Sequence, residues 1–272
     1  MPGVGKTTLA LAFSRVLSLD MKRVQCTPDV MPSDITGFAM YRQDAGEFVL
    51  RKGSVFCNLF LADELNRTSP KTQSALLETM EEKQVTVDGE TYELPVPFLV
   101  IATQNPYGSS GTLPLPLSEL DRFMASLSMG YPDFANEVKL VMEAGSASRA
   151  EAAVGVMTAE EFAQAQNEVQ QVYIKDVVAE YLLRLITVTR ESAGVDYPAS
   201  PRAAISLAKL AKASAYLAGR DYVTPRDVRE QFAYAVGHRI FEPSVEGRDA
   251  DMRDRIVKEI LEAVKEPRTD KG

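Results

Sequence analysis

The first residues of the chain have the types and spacing that a phosphate-binding loop requires. Gly5-Lys6-Thr7 is the end of the pattern G-x-x-x-x-G-K-[ST], whose first glycine would fall one residue before Met1. Gly3 and Gly5 allow backbone N–H groups to turn toward an anion. Lys6 supplies a charge for the β- and γ-phosphates of a nucleotide, and Thr7 supplies a hydroxyl for Mg²⁺. A helix is expected to follow at once, with the positive end of its dipole facing the phosphates.

A Gly-Lys-Thr triplet alone can be chance, so the second half of a nucleotide site has to be found downstream. Residues 59–62 form a short apolar run typical of a buried parallel strand, and the run ends in Asp63-Glu64. Carboxylates at that end of a strand lie where open α/β sheets bind ligands. Asp63 is expected to hold Mg²⁺ through water, and Glu64 to act as general base toward an attacking water. The alternative is an ordinary acidic loop, which the upstream triplet makes weaker.

Two further polar side chains stand where phosphoryl transfer would use them. A second apolar run at 98–102 precedes Asn105, which can orient water against a γ-phosphate. Arg122 ends a short helical stretch and can stabilise the charge on the transferring group, as an arginine finger does. Taken alone, however, Asn105 before Pro106 favours a turn, and Arg122 beside Asp121 favours a surface ion pair.

The pattern of predicted elements changes near residue 132. Before it, apolar strands alternate with a helix that begins after Thr68 or Ser69, and hairpins are expected at 38–51 and 84–94. A strand at 125–129 is expected to close this part. After it, every predicted element is helical, with starts at Ser200-Pro201 and Thr224-Pro225. We therefore predict two domains, an α/β nucleotide-binding core at 1–132 and an all-α lid at 133–272.

An arginine, the single histidine and the two cysteines can each be interpreted from their positions in the sequence. Arg202 lies in the first turn of a predicted helix, where a cation opposes the helix dipole. That cost is explained if Arg202 faces a nucleotide phosphate. The only histidine, His238, is interpreted as a packed or hydrogen-bonded residue rather than a catalytic one. Cys26 and Cys57 are interpreted as small buried residues.

Composition excludes several classes of protein. The 272 residues include 30 Lys and Arg against 38 Asp and Glu, which gives a net charge of −8. This charge, without a basic stripe, disfavours a DNA motor and predicts no nucleic-acid partner. No apolar run is long enough to span a bilayer and no signal peptide is predicted, so a cytoplasmic protein is expected. One histidine and two distant cysteines exclude a site built on a histidine pair or on cysteines.

In their order along the chain, these motifs resemble the MoxR family of AAA+ ATPases. The resemblance is carried by residues 2–7, 27–29, 32–37, 62–67, 71–78, 102–106, 111–116, 120–123, 200–203 and 238–240. It covers nearly the whole chain and is far more specific than the nucleotide motifs alone. The fold it implies is α/β, an AAA+ P-loop core with a parallel sheet flanked by helices, followed by an all-α lid domain.

The resemblance also implies a role for each candidate residue. Nucleotide-binding residues are Gly3, Val4, Gly5, Lys6, Thr7, Thr8, Asp63 and Arg202, and the metal ligands are Thr7 and Asp63. Lys6 and Thr7 correspond to Walker A, and Asp63 and Glu64 to Walker B. The remaining catalytic residues are Asn105 as sensor 1 and Arg122 as an arginine finger acting on a neighbouring subunit, while Arg202 corresponds to sensor 2.

The implied cofactors are ATP and Mg²⁺, and the implied assembly is a homo-oligomeric ring, usually a hexamer. Members of the family are thought to remodel a client protein, often one with a von Willebrand factor A domain, in complex assembly or metal-cofactor insertion. The chain begins inside Walker A, so the first strand of the core is expected to be missing and ATP to bind weakly. Two functions therefore stay open, an ATP-hydrolysing remodeler and a pseudo-ATPase interaction module without turnover.

Overall fold

The chain folds into two compact units, described here from a computed structural model. The residues described are 4–44, 46–104, 115–142, 150, 152–192, 195, 197–240 and 250–268, without the side chains of 250 and 251. The first, called the α/β unit, comprises Met1–Leu113 and Met129–Ala163, and the second, called the helical unit, comprises Pro114–Ser128 and Gln164–Gly272. The domain boundary predicted at residue 132 stays a prediction.

The α/β unit carries all the strands of the described residues, together with short helices between them. In chain order up to residue 104, its elements are α1 (Lys6–Val16), β1 (Met21–Gln25), α2 (Pro32–Thr36), β2 (Gly37–Arg42), β3 (Glu47–Lys52), β4 (Leu59–Asp63), a 3₁₀ turn (Leu65–Arg67), α3 (Pro70–Glu82), β5 (Gln84–Val87), β6 (Glu90–Glu93) and β7 (Leu99–Ala102).

Helices make up the regular structure of the rest of the described chain. In chain order they are α4 (Leu117–Leu120), α5 (Phe134–Met142), α6 (Ala159–Gln171), α7 (Asp176–Glu191), α8 (Pro201–Leu217), α9 (Pro225–Val236) and α10 (Ala250–Ala263). None of the helices in the described residues combines the length and hydropathy needed to cross a bilayer. The predicted cytoplasmic location stays a prediction.

A three-stranded parallel sheet forms the centre of the α/β unit. β4 lies between β1 and β7 and pairs in parallel with both. All five residues of β4 are buried, as its continuous apolar run predicts for a strand covered on both faces. The register places Gln25 opposite Asp63 and Ala62 opposite Ala102. The three strands therefore end together, and the residues that follow them meet at one edge of the sheet.

Local sequence signals account for the other predicted elements of this unit. The Ser69 hydroxyl accepts a hydrogen bond from the Thr72 N–H at 3.3 Å and Pro70 opens α3, which confirms the predicted helix start. The two predicted hairpins form as β2–β3 and β5–β6. Gly37 opens the first hairpin with φ of 95°, and a Cβ there would collide with the carbonyl oxygen of Arg51, so only glycine fits.

The strand predicted at 125–129 is wrong. None of these residues belongs to a strand. Instead, the N–H of Ser126 donates to the carbonyl oxygen of Tyr234 in α9 at 3.0 Å. A strand exists only through pairing with a neighbour, and here the backbone finds its hydrogen-bond partner on a helix.

Apolar faces of α7 to α10 build the core of the helical unit. The apolar face of α7 is buried throughout, and its members are Val178, Tyr181, Leu182, Leu185 and Ile186. Ile256, Ile260 and Val264 extend the same core. At the start of α9, Thr224 and Asp227 form a capping box, which confirms the helix start predicted at Thr224-Pro225.

Candidate nucleotide-binding site

Asp63 collects hydrogen bonds at the carboxyl end of β4. Its Oδ2 accepts from the Thr7 hydroxyl at 3.1 Å, and its Oδ1 accepts from the Thr103 hydroxyl at 2.6 Å. Arg23 donates to the same Oδ2 from Nε at 3.1 Å and from Nη2 at 2.8 Å. Burial alone would raise the pKa of Asp63, but the hydrogen bonds from Thr103, Arg23 and Thr7 hold it below its ordinary value. The carboxylate is therefore ionised at neutral pH.

The chemistry of Thr7 and Asp63 fits a magnesium ion. One hydroxyl oxygen and one carboxylate oxygen lie in direct contact, and both are hard oxygen donors of the kind that Mg²⁺ prefers. Magnesium usually takes one or two carboxylates from the protein and completes its octahedron with water and phosphate oxygens. The two predicted metal ligands, 56 positions apart in sequence, are thus brought together by the fold.

Glu64 leaves β4 in a left-handed backbone conformation with φ of 58°. A residue other than glycine there costs ~1–2 kcal/mol, which the surroundings must offset. The Glu64 N–H donates to the Thr103 hydroxyl at 2.9 Å, so Thr103 serves Asp63 and Glu64 at once. The Glu64 Oε2 accepts from Gln25 Nε2 at 3.0 Å and from Arg67 Nη1 at 2.7 Å. Two donors therefore fix the side chain that the sequence predicts as general base.

The predicted phosphate loop leads directly into α1. Gly5 has φ of 85°, a conformation that favours glycine, and its carbonyl oxygen accepts the first hydrogen bond of the helix from the Leu9 N–H at 2.9 Å. Val4 is half-buried, whereas Thr8 in the first turn is exposed. Gly3 lies outside the described residues.

Lys6 reaches across to the end of β7. Its Nζ donates to the carbonyl oxygen of Gln104 at 3.0 Å. Gln104 directly precedes Asn105, which lies outside the described residues. The predicted Lys6, Thr7, Asp63 and Glu64 therefore gather around the ends of β4 and β7, and the role of Asn105 stays a prediction.

In the helical unit, a hydrogen bond joins the neighbours of Arg122 and Arg202. The Ser200 hydroxyl donates to Asp121 Oδ1 at 2.7 Å. Ser200 is also the N-cap of α8, where its oxygen accepts from the Ala203 N–H at 3.4 Å. Arg202 is exposed in the first turn of α8, and Arg122 is half-buried directly after Asp121. The segments that carry the two predicted arginines are thus tied together within this unit.

Arg239 holds the same segment from the other side. Its side chain is 2% exposed, and Nη2 donates to the carbonyl oxygens of Asp121 at 2.9 Å and Phe123 at 2.7 Å. The Nε pairs with Asp121 Oδ1 at 3.0 Å, and Nη2 also reaches the Ser206 hydroxyl in α8 at 3.0 Å. Burial lowers the pKa of Arg239 and the charge of Asp121 opposes that effect. The backbone on both sides of Arg122 is therefore fixed by one buried guanidinium.

His238 is hydrogen-bonded within the helical unit, as predicted. Its Nε2 lies 3.1 Å from the carbonyl oxygen of Phe123. Burial, and next the charge of Arg239, lower the pKa of His238 to about 4, so the imidazole is neutral at pH 7 and Nε2 donates to that oxygen. Cys26 and Cys57 are both buried with free thiols, which confirms their interpretation.

Comparison with known proteins identifies the family. Residues 1–125 match the family model described as ATPase family associated with various cellular activities (AAA), and residues 187–260 match an AAA lid domain. The chaperone MoxR1 of Mycobacterium tuberculosis is 36% identical over 88% of this chain and 66% of its own length. YeaC of Bacillus subtilis, an uncharacterised protein, is 45% identical over 98% of this chain and 83% of its own. The chain belongs to the MoxR family of AAA+ ATPases.

A solved structure agrees with this assignment. The crystal structure of a candidate ATPase from Cytophaga hutchinsonii aligns with a TM-score of 0.85 at 37% identity, over 98% of this chain and 84% of that one. The MoxR resemblance is therefore confirmed, and so is the predicted fold class, a parallel sheet flanked by helices followed by a helical lid.

Sequence reasoning missed several residues of this MoxR-type site. Arg23 and Gln25 lie on β1, a strand that the sequence analysis did not predict. The sequence signal that could have found them is their spacing of two positions, because residues i and i+2 of a strand lie on the same face. Thr103 follows the apolar run at 98–102 directly, so the rule that pointed to Asp63 also applied to it. In the helical unit, the resemblance at 238–240 implied no role for Arg239.

Proposed function

We propose that this MoxR-family chain binds ATP with Mg²⁺ and hydrolyses it to ADP and phosphate. The observation that carries the proposal is the cluster at Asp63, where the Thr7 hydroxyl and the strand-end carboxylate meet directly beside Glu64. Lys6 and the backbone from Gly3 to Thr8 bind the phosphates, and Thr7 with Asp63 holds the metal. Bound Mg²⁺ neutralises charge on the phosphate oxygens.

Glu64 is the general base of the proposed reaction. Its carboxylate takes a proton from the attacking water; Gln25 and Arg67 both bond to Oε2, so Oε1 is the oxygen that accepts the proton. Asn105 orients that water, and Arg202 binds the phosphates of the same subunit. Arg122 stabilises the charge that develops on the transferring group in a neighbouring subunit.

We propose a homo-oligomeric ring, usually a hexamer in this family, in which Arg122 completes a site on the next subunit. The chaperone name of MoxR1 supports a remodelling activity. We propose that ATP turnover drives chaperone-like remodelling of a client, such as a protein with a von Willebrand factor A domain, during its assembly or cofactor insertion.

One observation favours a second candidate function, a nucleotide-poor pseudo-ATPase module that binds partners without turnover. Both candidate carboxylates are already engaged by side chains of this chain, Asp63 by Arg23 and Glu64 by Gln25 and Arg67. A site held in that arrangement would not take up metal, because Arg23 bonds to the Asp63 oxygen that lies beside Thr7.

The two functions are separated by measuring the ATPase rate per subunit against protein concentration, together with nucleotide affinity. Turnover that rises with concentration supports an assembling ATPase. Glu64→Gln should then lower turnover by about 10²–10⁴-fold with ATP affinity unchanged. Glu78→Gln, an exposed carboxylate on α3, is the matched control and should retain the full rate. Undiminished turnover of Glu64→Gln would remove Glu64 from its role, and absent ATP binding would favour the pseudo-ATPase.

A further inference from the structure

Arg23 donates hydrogen bonds to the Asp63 oxygen that the proposed metal site needs. Asp63 Oδ2 accepts the Thr7 hydroxyl at 3.1 Å and two N–H groups of Arg23, from Nε at 3.1 Å and Nη2 at 2.8 Å. The other oxygen, Oδ1, is taken by the Thr103 hydroxyl at 2.6 Å. An ionised carboxylate offers about four lone-pair sites. Three donors therefore crowd the oxygen that faces Thr7, where a magnesium ion or its water would have to bond.

The two partners of this ion pair differ in their access to water. The Asp63 side chain is 11% exposed, whereas the Arg23 side chain is 48% exposed. Arg23 Nη2 also donates to Gln25 Oε1 at 3.0 Å. When the Arg23 guanidinium leaves Asp63, it thus keeps one hydrogen-bond acceptor on its own strand and becomes more hydrated. Asp63, being buried, needs a positive partner in either arrangement, because an unpaired buried carboxylate is strongly disfavoured.

We propose that Arg23 is a displaceable counter-ion of Asp63 that competes with Mg²⁺ for the same oxygen. Metal binding and the Arg23–Asp63 ion pair exclude one another, because a divalent ion beside Thr7 would face the guanidinium with like charge in a partly buried place. Arg23 orients the carboxylate before metal binds, and it lowers the affinity for metal by the free energy of the ion pair that must be broken. The inference rests on the proposed metal site at Thr7 and Asp63.

The test is the affinity for Mn²⁺, used as the probe and measured by electron paramagnetic resonance on the full chain. Arg23→Gln removes the competing charge and should tighten Mn²⁺ binding about tenfold, within the ~5–150-fold range typical of coupled sites. Without metal, the same variant should melt at a lower temperature than the wild type. Saturating Mn²⁺ should raise the melting temperature of the variant by more than it raises that of the wild type. Arg42→Gln, which breaks the exposed pair with Asp44, is the matched control and should change neither quantity.

A purely structural role would lower the melting temperature of Arg23→Gln without tightening Mn²⁺ binding, and that result overturns the proposal. If Arg23→Gln does not fold, Arg23→Lys keeps the charge but not the two-pronged contact, and it should bind Mn²⁺ more tightly than the wild type; equal or weaker binding again overturns it. Asp63→Asn separates this proposal from the proposed function. If Asp63→Asn binds Mn²⁺ as tightly as the wild type, both the metal site and the competition are refuted. If Mn²⁺ binding depends on Asp63 but not on Arg23, only the competition is refuted.

Discussion

Acidification should destabilise the helical unit through its single histidine. The folded protein holds the pKa of His238 at about 4 instead of the ordinary 6.5, chiefly because the ring is buried and next because Arg239 is close. As the pH falls through 6.5, the unfolded chain takes up a proton that the folded chain refuses until the pH nears 4. The unfolded state therefore binds more protons in this interval, so its population rises as the pH falls.

The size of the effect follows from the gap between the two pKa values. As the pH falls from 6.5 to about 4, the unfolding free energy drops by about 3 kcal/mol in all, of which about 2 kcal/mol is lost by pH 5. A loss of that size is a large share of the stability of an ordinary domain. Protonation would also place a second positive charge beside Arg239, which fixes the backbone on both sides of Arg122.

The assay is urea unfolding of the wild type and of His238→Gln between pH 7.5 and pH 5. Glutamine keeps an amide donor for the carbonyl oxygen of Phe123 but does not titrate, so the variant should lose little stability over this range. Because the chain has one histidine, its imidazole proton resonances also report the pKa directly. Equal pH dependence of the two proteins, or an imidazole that titrates near 6.5, would refute the reasoning.

Two further perturbations test other parts of the molecule. Loss of an arginine finger lowers the rate by ~10³–10⁵-fold, so Arg122→Ala and Lys6→Ala should each be inactive. Mixing the two variants should restore some ATPase activity, because each supplies the half-site that the other lacks. Mixtures that assemble but show no activity at any ratio would contradict the role of Arg122 in trans. Burial alone would raise the pKa of Asp227, but hydrogen bonds from Arg220 and Thr224 lower it from 3.8 to about 2, so its stabilisation is present above pH 3.8 and lost as the pH falls toward 2. Asp227→Asn should therefore lower the unfolding free energy at pH 7 by about 2 kcal/mol, measured in urea, with a difference from wild type that shrinks below pH 4; equal stability at pH 7 would count against it.

The parts of the fold that the sequence predicts are those with local causes. The apolar run at 59–62 becomes β4, which is buried throughout, because a covered parallel strand needs apolar residues on both faces. The run at 98–102 becomes β7, which is half-buried and pairs with β4. The starts of α3 and α9 follow from caps whose donors and acceptors lie three positions apart. Such signals are complete within a few residues, so no knowledge of the tertiary structure is needed to read them.

The errors concern strands whose partners decide their existence. Residues 21–25 are mostly polar and give no apolar run, yet they form β1 because β4 offers them a parallel edge. Residues 125–129 have a strand-like pattern, but Ser126 bonds to α9 instead. In both cases the hydrogen-bond partner lies far away in sequence, and propensity alone cannot name it.

The candidate site also combines local signals with contacts between distant residues. The carboxylates could be found because Asp63 and Glu64 end an apolar run, but three of their hydrogen-bond donors lie about 40 positions away, Arg23 and Gln25 on one side and Thr103 on the other. Parallel pairing converts that distance into contact, since Gln25 stands opposite Asp63 in the register. Once β1 is known, alternation places Arg23 and Gln25 on the same face, and the short reach from β1 to β4 brings both to the carboxylates. The residue that we propose to compete with metal is thus specified by strand register rather than by any motif.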